Sequence, residues 1–303
     1  MEVRLDGRVA IVTGAGAGLG RSHALMLASR GAKVLVNDLG SASDDPDSAR
    51  RAADVVVEEI RAAGGTAVAN YDSVADPAGA QALVASAVEA FGGVDILVNN
   101  AGILRDKSFG KMDMADFDEV VRVHLSGTAY VTHAVWPLMT AKKYGRVVFT
   151  LSNTGLYGNF GQANYGAGKA GLVGLMNVLR IEGAKNNILV NAVAPMAATR
   201  MTEASMSAEV LERFLPEYPS AAVAYMCSDQ FTESGTIIST AAGHYSAVKI
   251  VSSEGAQLDG AASPEAVAAA WSEITDMSGA RTFANAAEEV AFVMDAAKSG
   301  VVA

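Results

Sequence analysis

The sequence contains a single cysteine, Cys227, in 303 residues. No intrachain disulfide can form, and no cysteine cluster is available to bind a metal. Histidine is almost as scarce. His23, His124, His133 and His244 stand apart without the short spacing of a metal-ligand pair, so no metal is expected. Positive charge is in deficit, with 23 Lys and Arg against 33 Asp and Glu and a net charge of -10. Such a chain repels phosphate backbones at long range, so general nucleic-acid binding is not expected, although a local basic patch for one anionic ligand stays compatible. No stretch approaches the roughly 18 uncharged apolar residues that a membrane-spanning helix needs. The N-terminal MEVRLDGRVA lacks a basic segment followed by an apolar run and a cleavage site, and the terminal AKSGVVA is neither a peroxisomal nor an ER-retention signal. The expectation is a soluble, cytoplasmic protein. Hydrophobic residues make up 50%, enough for a sizeable core, which excludes intrinsic disorder.

What is present is an alternation of two periods. Residues 8–13 (RVAIVT) form a strand-length apolar run ending in glycines, and residues 19–30 place Leu, Ala and Met on one side of a helix. The next segments read as a strand at 33–38 (KVLVND), a helix at 46–63, a strand at 66–71, a helix at 77–91 and a strand at 95–99 (DILVN). A long helical pattern covers about 112–144. A strand at 146–151, a helix at 163–185 and a strand at 188–194 follow it. Apolar strands separated by helices predict a parallel sheet covered on both faces, and right-handed connections make it doubly wound, an α/β Rossmann fold. After Pro195 the pattern loosens. Residues 199–219, with several Met, Glu and Pro, are expected to form a mobile helical flap, and 235–251 hold at least one more strand. From Ser263 the pattern is helical again, ending in a helix over about 286–298. The expected division is a Rossmann domain over 1–251 and a C-terminal helical extension over 252–303 that packs on the domain or on a partner subunit.

Three constellations carry chemistry. The first is Thr13-Gly14-Ala15-Gly16-Ala17-Gly18-Leu19-Gly20, between a strand and a helix. Glycines there let the backbone turn and approach a pyrophosphate at the helix N-terminus. The register Gly-x-Gly-x-x-Gly fails because Leu19 stands where glycine is needed, whereas Thr-Gly-x3-Gly-x-Gly fits Thr13, Gly14, Gly18 and Gly20. The second is Asp38 at the end of the second strand, which can accept both ribose hydroxyls of an adenosine and repel a 2′-phosphate, so NAD is the expected cofactor. Asp72, after the third strand, either meets the adenine amino group or is an ordinary strand-end carboxylate. The third is Ser152 with Tyr165-x3-Lys169. The pair lies one helical turn apart on one face, and an ammonium beside a phenol is expected to lower its pKa towards neutrality, making Tyr165 a general acid and base. Ser152, at a strand end, can donate a hydrogen bond to the substrate oxygen.

These residues together resemble the short-chain dehydrogenase/reductase family. The likeness is carried by Thr13 to Gly20, Asn99-Asn100-Ala101-Gly102, Ser152, Tyr165-x3-Lys169 and Asn191-x3-Pro195, and it spans residues 8 to about 202. It implies that Gly14, Gly18, Leu19 and Gly20 hold the pyrophosphate and that Asp38 holds the ribose. Asp72, Ser73, Val74, Asn100, Ala101 and Gly102 would surround the adenosine half, while Pro195 and Thr199 flank the nicotinamide amide. Tyr165 would be the acid and base, Lys169 would orient the nicotinamide ribose and tune Tyr165, and Ser152 would polarise the carbonyl. More narrowly, VNDLG (36–40), NYDSV (70–74), YGNFGQANYGAGK (157–169), RMT (200–202) and the tail at 263–280 are similar to the dehydrogenase unit of the multifunctional type 2 enzymes of the peroxisome. That group oxidises (3R)-hydroxyacyl-CoA thioesters, so an acyl-CoA is the implied partner, and a homodimer or homotetramer the implied assembly.

Two departures stand out. The family usually has asparagine where VRVHLSG places His124. Two readings are open there, a proton relay linking Lys169 to solvent and a histidine that merely packs. The usual Pro-Gly is Pro195-Met196, which adds a side chain near the nicotinamide. Met196, Met201 and Met206 either line an apolar acyl groove or pack the flap. Arg105, Lys107 and Lys111 are candidate cations for the anionic nucleotide of a thioester, or else a solvated loop. Trp271 in the tail is expected to bury itself against the core. The rival functions are a 3-oxoacyl-carrier-protein reductase, a steroid or other secondary-alcohol dehydrogenase, and a cofactor-binding sensor without catalysis.

Overall fold

A computed structural model describes residues 2–40, 46–197, 213–258 and 263–299. The chain divides into two compact units, Met1–Ala247 and Val248–Ala303.

The first unit is built on one sheet of eight strands. They are β1 (Val9–Thr13), β2 (Lys33–Asn37), β3 (Thr66–Asn70), β4 (Ile96–Asn99), β5 (Gly145–Thr150), β6 (Ile188–Pro195), β7 (Ile237–Ala241) and β8 (His244–Val248), in the order β3-β2-β1-β4-β5-β6-β7-β8. Every pair from β3 across to β7 is parallel. A two-residue turn at Ala242-Gly243, both with positive φ, sends β8 back along β7. The strands of the centre are short and apolar because both faces are covered. All residues of β1, β4 and β5 are buried.

The order of strands reverses between β1 and β4, so the loops leaving their C-terminal ends diverge and open a crevice. The flanking helices of this unit are α1 (Gly18–Ser29), α2 (Pro46–Ala62), α3 (Pro77–Phe91), α4 (Met114–Val121), α5 (Gly127–Lys142), α6 (Asn153–Tyr157), α7 (Ala163–Gly183) and α8 (Glu217–Met226). Their starts follow local chemistry. Asp76 caps α3 by accepting from Gly79 N at 2.9 Å with Pro77 next to it, and Asp113 caps α4 by accepting from Ala115 N at 2.9 Å.

The long helix expected over 112–144 is broken. A 3-10 turn (Phe109–Lys111) precedes α4, and a π-helical turn (Arg122–Ser126) separates α4 from α5. Such a turn inserts an extra residue and displaces a side chain from the helical register, frequently at a functional site. Here that segment carries His124, which is 2% exposed. The expected flap falls largely outside the described residues, which resume at Arg213 and enter α8 at Glu217.

The second unit contains α9 (Pro264–Ala269), α10 (Trp271–Ile274) and α11 (Ala286–Ser299). A pair of backbone hydrogen bonds joins Ser252 and Arg281, 2.9 Å each, and Arg281 also pairs with Glu254 and covers the ring of Phe292. None of its described side chains is fully buried. Trp271 is 59% exposed, so the burial expected for it does not occur within this unit.

Candidate active site

The site is assembled at the C-terminal ends of β1, β2, β4, β5 and β6. At the end of β1, Gly14 has φ of +62°, a conformation that L side chains rarely adopt, and a Cβ there would come within 2.7 Å of Ala101 Cα. A Cβ at Gly20 would meet Gly14 O at 2.1 Å. Gly18 and Leu19 open α1, whose N-terminus has no side-chain cap and no acidic residue in its first turn. Its leading N–H groups are therefore left for an anion. The loop is held from the β4 side. Asn100 Nδ2 donates to Thr13 O and Gly14 O at 3.0 Å each, and Thr13 Oγ1 accepts from Asn100 N and Ala101 N at 3.0 and 3.1 Å.

Asp38 follows β2 and turns back to the glycine loop. Its two oxygens accept from Gly16 N at 2.7 Å and from Gly40 N at 2.8 Å. Asp72 is occupied in structural bonds, since its Oδ2 accepts from Asn70 Nδ2 at 2.7 Å and its carbonyl from Asn37 Nδ2 at 2.9 Å. Ser73 Oγ accepts from Ala75 N at 3.2 Å, and Val74 packs so closely that a Cβ at Gly127 would lie 3.1 Å from its carbonyl.

Ser152 ends the segment after β5 and caps α6, accepting from Thr154 N at 3.2 Å. Its hydroxyl donates to Oδ1 of Asn153 at 3.1 Å. Tyr165 and Lys169 lie on one face of α7, with Lys169 Nζ 5.6 Å from the centre of the Tyr165 ring. Lys169 is 3% exposed and donates to Thr150 O. Burial pushes its pKa down to about 7. Burial also raises the pKa of Tyr165, against which a hydrogen bond with Ser152 works in the lowering direction, while Asp106 adds to the rise. The lowered phenol expected from the ammonium is thus not found. The ammonium is itself desolvated and gives its hydrogen bond to Thr150, so it does not offset the cost of burying a phenolate.

His124 stands between Gly102 and Gly168. A Cβ at Gly102 would come 2.2 Å from its Cε1, and one at Gly168 would come 3.2 Å from its Cβ. Its Nε2 is 2.8 Å from Ile103 O, and its buried Nδ1 has no partner. Burial, with the Lys169 charge second, lowers its pKa to about 3.

Pro195 closes β6, and Met196 N donates to Thr240 O at 2.9 Å. Met196 Sδ accepts from Nδ2 of Asn153 at 3.4 Å. Nothing in the sequence marks Asn153, because an asparagine following a strand-end serine reads as the first residue of a short helix. Thr199, Met201 and Met206 lie outside the described residues. Of the three candidate cations, Arg105 is taken by acidic neighbours, with its Nε 3.3 Å from Glu119 and 3.8 Å from Asp116. Lys107 and Lys111 are exposed.

Comparison with known proteins agrees with this geometry. The profile of the short chain dehydrogenase family matches residues 8–210. A short-chain type dehydrogenase/reductase of Mycobacterium tuberculosis is 50% identical over 274 residues, which cover 90% of this chain and 96% of that protein. Peroxisomal multifunctional enzyme type 2 of Drosophila melanogaster is 48% identical over 291 residues, 95% of this chain. The chain spans 48% of that enzyme's length. The solved full-length structure of the fly enzyme superposes with a TM-score of 0.83 and 41% identity, over 98% of this chain and 50% of the other. A 7α-hydroxysteroid dehydrogenase solved with NADH and a 7-oxo bile acid superposes with a TM-score of 0.72 and 31% identity, covering 80% of this chain and 95% of the other. No described helix is long and apolar enough to cross a membrane. The multifunctional relative is named as peroxisomal, so the cytoplasmic expectation is not carried over. The match over two thirds of the sequence, the parallel sheet and the grouping of Ser152, Tyr165 and Lys169 make the chain a member of the short-chain dehydrogenase family, an oxidoreductase acting on CH–OH groups.

Proposed function

We propose that the protein is an NAD-dependent dehydrogenase that interconverts (3R)-hydroxyacyl-CoA and 3-oxoacyl-CoA. One observation carries the cofactor half. The Asp38 carboxylate faces the glycine loop, anchored by Gly16 N and Gly40 N, where it leaves lone pairs for two ribose hydroxyls and sets a negative charge against a phosphate. The uncapped start of α1 and the glycines whose Cβ positions are filled by Ala101 and Gly14 fit a pyrophosphate. Gly14, Gly18, Leu19 and Gly20 would hold it, with Asn100 and Ala101 fixing the loop. Tyr165, Lys169 and Pro195 would border the nicotinamide side. The substrate half rests on the likeness to the multifunctional enzymes, which runs through nearly the whole chain.

A bound nicotinamide dinucleotide supplies the two-electron acceptor. The chain's own residues handle the proton and the geometry. Tyr165 Oη takes the hydroxyl proton during oxidation and returns it during reduction. Ser152 turns its hydroxyl hydrogen from Asn153 Oδ1 to the substrate oxygen and so polarises the bond on which Tyr165 acts. Lys169, fixed by Thr150 O, bears on the Tyr165 ring from within α7. His124 packs edge-on against the Tyr165 ring. The exposed Val178 and Ile181 on α7 suit the pairing of long helices in a homo-oligomer.

The test is absorbance of NADH on mixing the protein and NAD with a panel of 3-hydroxyacyl-CoA thioesters. Formation of NADH is expected. Activity on a carrier-protein thioester, a hydroxysteroid or a simple secondary alcohol in place of every CoA ester overturns the substrate reading.

A further inference from the structure

We propose that Asn153 is a specificity-determining contact for a second carbonyl of the substrate, two carbons from the reacting centre. The proposal rests on the thioester reading above. Asn153 follows Ser152 directly, and its Oδ1 accepts the Ser152 hydroxyl at 3.1 Å. Its amide therefore lies one hydrogen bond away from the oxygen that faces the reacting carbon. Its Nδ2 rests on Met196 Sδ at 3.4 Å, and a thioether accepts hydrogen bonds weakly. Asn153 is exposed, whereas Ser152 and Thr154 on either side of it are buried. An exposed amide donor held against sulfur costs little to redirect, and a carbonyl oxygen is the better acceptor.

A 3-hydroxyacyl or 3-oxoacyl thioester offers such an oxygen. When the oxygen on C3 meets Ser152 and Tyr165, the thioester carbonyl on C1 lies within reach of the adjacent side chain. Binding then exchanges two hydrogen bonds for two. The Ser152 hydrogen passes from Asn153 Oδ1 to the oxygen on C3, and an Asn153 hydrogen passes from Met196 Sδ to the oxygen on C1. The freed Oδ1 is exposed and turns to water. Met196 gains a function from the same contact. Its backbone is tied to Thr240 O at 2.9 Å, so its sulfur holds the amide in one place in the free protein and less order has to be imposed on binding. A glycine after Pro195 could not do this.

The experiment measures the dissociation constants of two ligands on the NAD-loaded protein. Butyryl-CoA carries the thioester carbonyl and no oxygen on C3. S-butyl-CoA is the thioether that lacks the carbonyl. The wild-type protein is expected to prefer butyryl-CoA by about 3- to 10-fold, the net worth of one neutral hydrogen bond. Asn153→Ala should abolish the preference by weakening butyryl-CoA alone. The Asn153→Asp variant keeps an acceptor for Ser152, removes the donor and adds a negative charge, so it should lose the preference while weakening both anionic ligands, and unchanged NAD affinity reports an intact fold. A wild type without the preference, or an Asn153→Ala variant that keeps it, overturns the proposal. If neither ligand binds the wild type, the thioester reading falls as well, which is a different result from binding without preference.

Discussion

The imidazole of His124 meets the ring of Tyr165 edge-on, with 5.0 Å between centroids and 89° between planes. The two residues come from the π-helical turn and from α7, so this contact links the break in the long helix to the proposed acid-base group. Burial pushes the pKa of His124 down to about 3, and substitution separates the packing reading from the relay. His124→Ala is expected to leave a cavity behind Tyr165 and cost about 1–3 kcal/mol of stability. His124→Asn should leave the ionisations in the pH profile of kcat/KM where they are. Loss of an ionisation in that variant would assign His124 a proton-carrying role.

Acid should destabilise the protein in a defined window. His23 and His124 are both buried, and burial lowers each pKa from 6.5 to about 3. Above pH 6.5 neither state binds the proton and neither residue makes stability depend on pH. Below it the unfolded chain takes up protons that the folded chain refuses, so stability falls as pH drops, by about 1.4 kcal/mol per unit for each residue, until about pH 3. Urea unfolding at a series of pH values measures the slope. A variant with His23→Gln and His124→Asn should show a shallower one, and an unchanged slope would place the acid sensitivity elsewhere.

Much of this was legible in the sequence, for identifiable reasons. β1 (VAIVT) and the VVF centre of β5 are apolar runs bounded by glycine or polar residues, so they declare themselves as buried parallel strands. Tyr165 and Lys169 share a face because helical spacing requires it. The π-helical turn leaves no such trace, since a slip of one position in the pattern does not stand out in a helix with apolar and small residues on several sides. Nor does the sequence reveal that Lys169 gives its hydrogen bond to Thr150 O, or that Arg105 is claimed by Asp116 and Glu119. Both depend on which groups the fold brings within reach. The direction of the Tyr165 shift depends on burial, which a spacing of four residues does not encode.

Lys169 should titrate far from a free lysine. In the protein without cofactor its ammonium is expected to lose its proton near pH 7, where an ordinary lysine would hold it to about 10.5. Site-specific nitrogen NMR across pH 5–11 follows it. A titration near the ordinary value would mean that water reaches the site freely. Lys169→Ala should impair both NAD binding and turnover.

Asp38 should make NAD the preferred cofactor. Placing a 2′-phosphate against this anchored carboxylate should cost on the order of a few kcal/mol. Asp38→Ser is expected to narrow the ratio of kcat/KM for NAD over NADP by at least about 10-fold. Equal efficiency of the wild type with both cofactors would remove Asp38 from the selection.

Tyr165→Phe keeps the ring and its contact with His124 and removes the hydroxyl proposed to transfer the proton. Turnover is expected to fall by about 10²–10⁴-fold or more while NAD still binds. Near-normal turnover would exclude Tyr165 from the chemistry.

The central claim is that these residues oxidise a (3R)-hydroxyacyl thioester with NAD. The most direct measurement compares initial rates of NADH formation from (3R)- and (3S)-hydroxybutyryl-CoA under identical conditions. The account predicts turnover of the (3R) epimer and little or none of the (3S) epimer. Preference for the (3S) epimer, or for a hydroxysteroid over both, would contradict it.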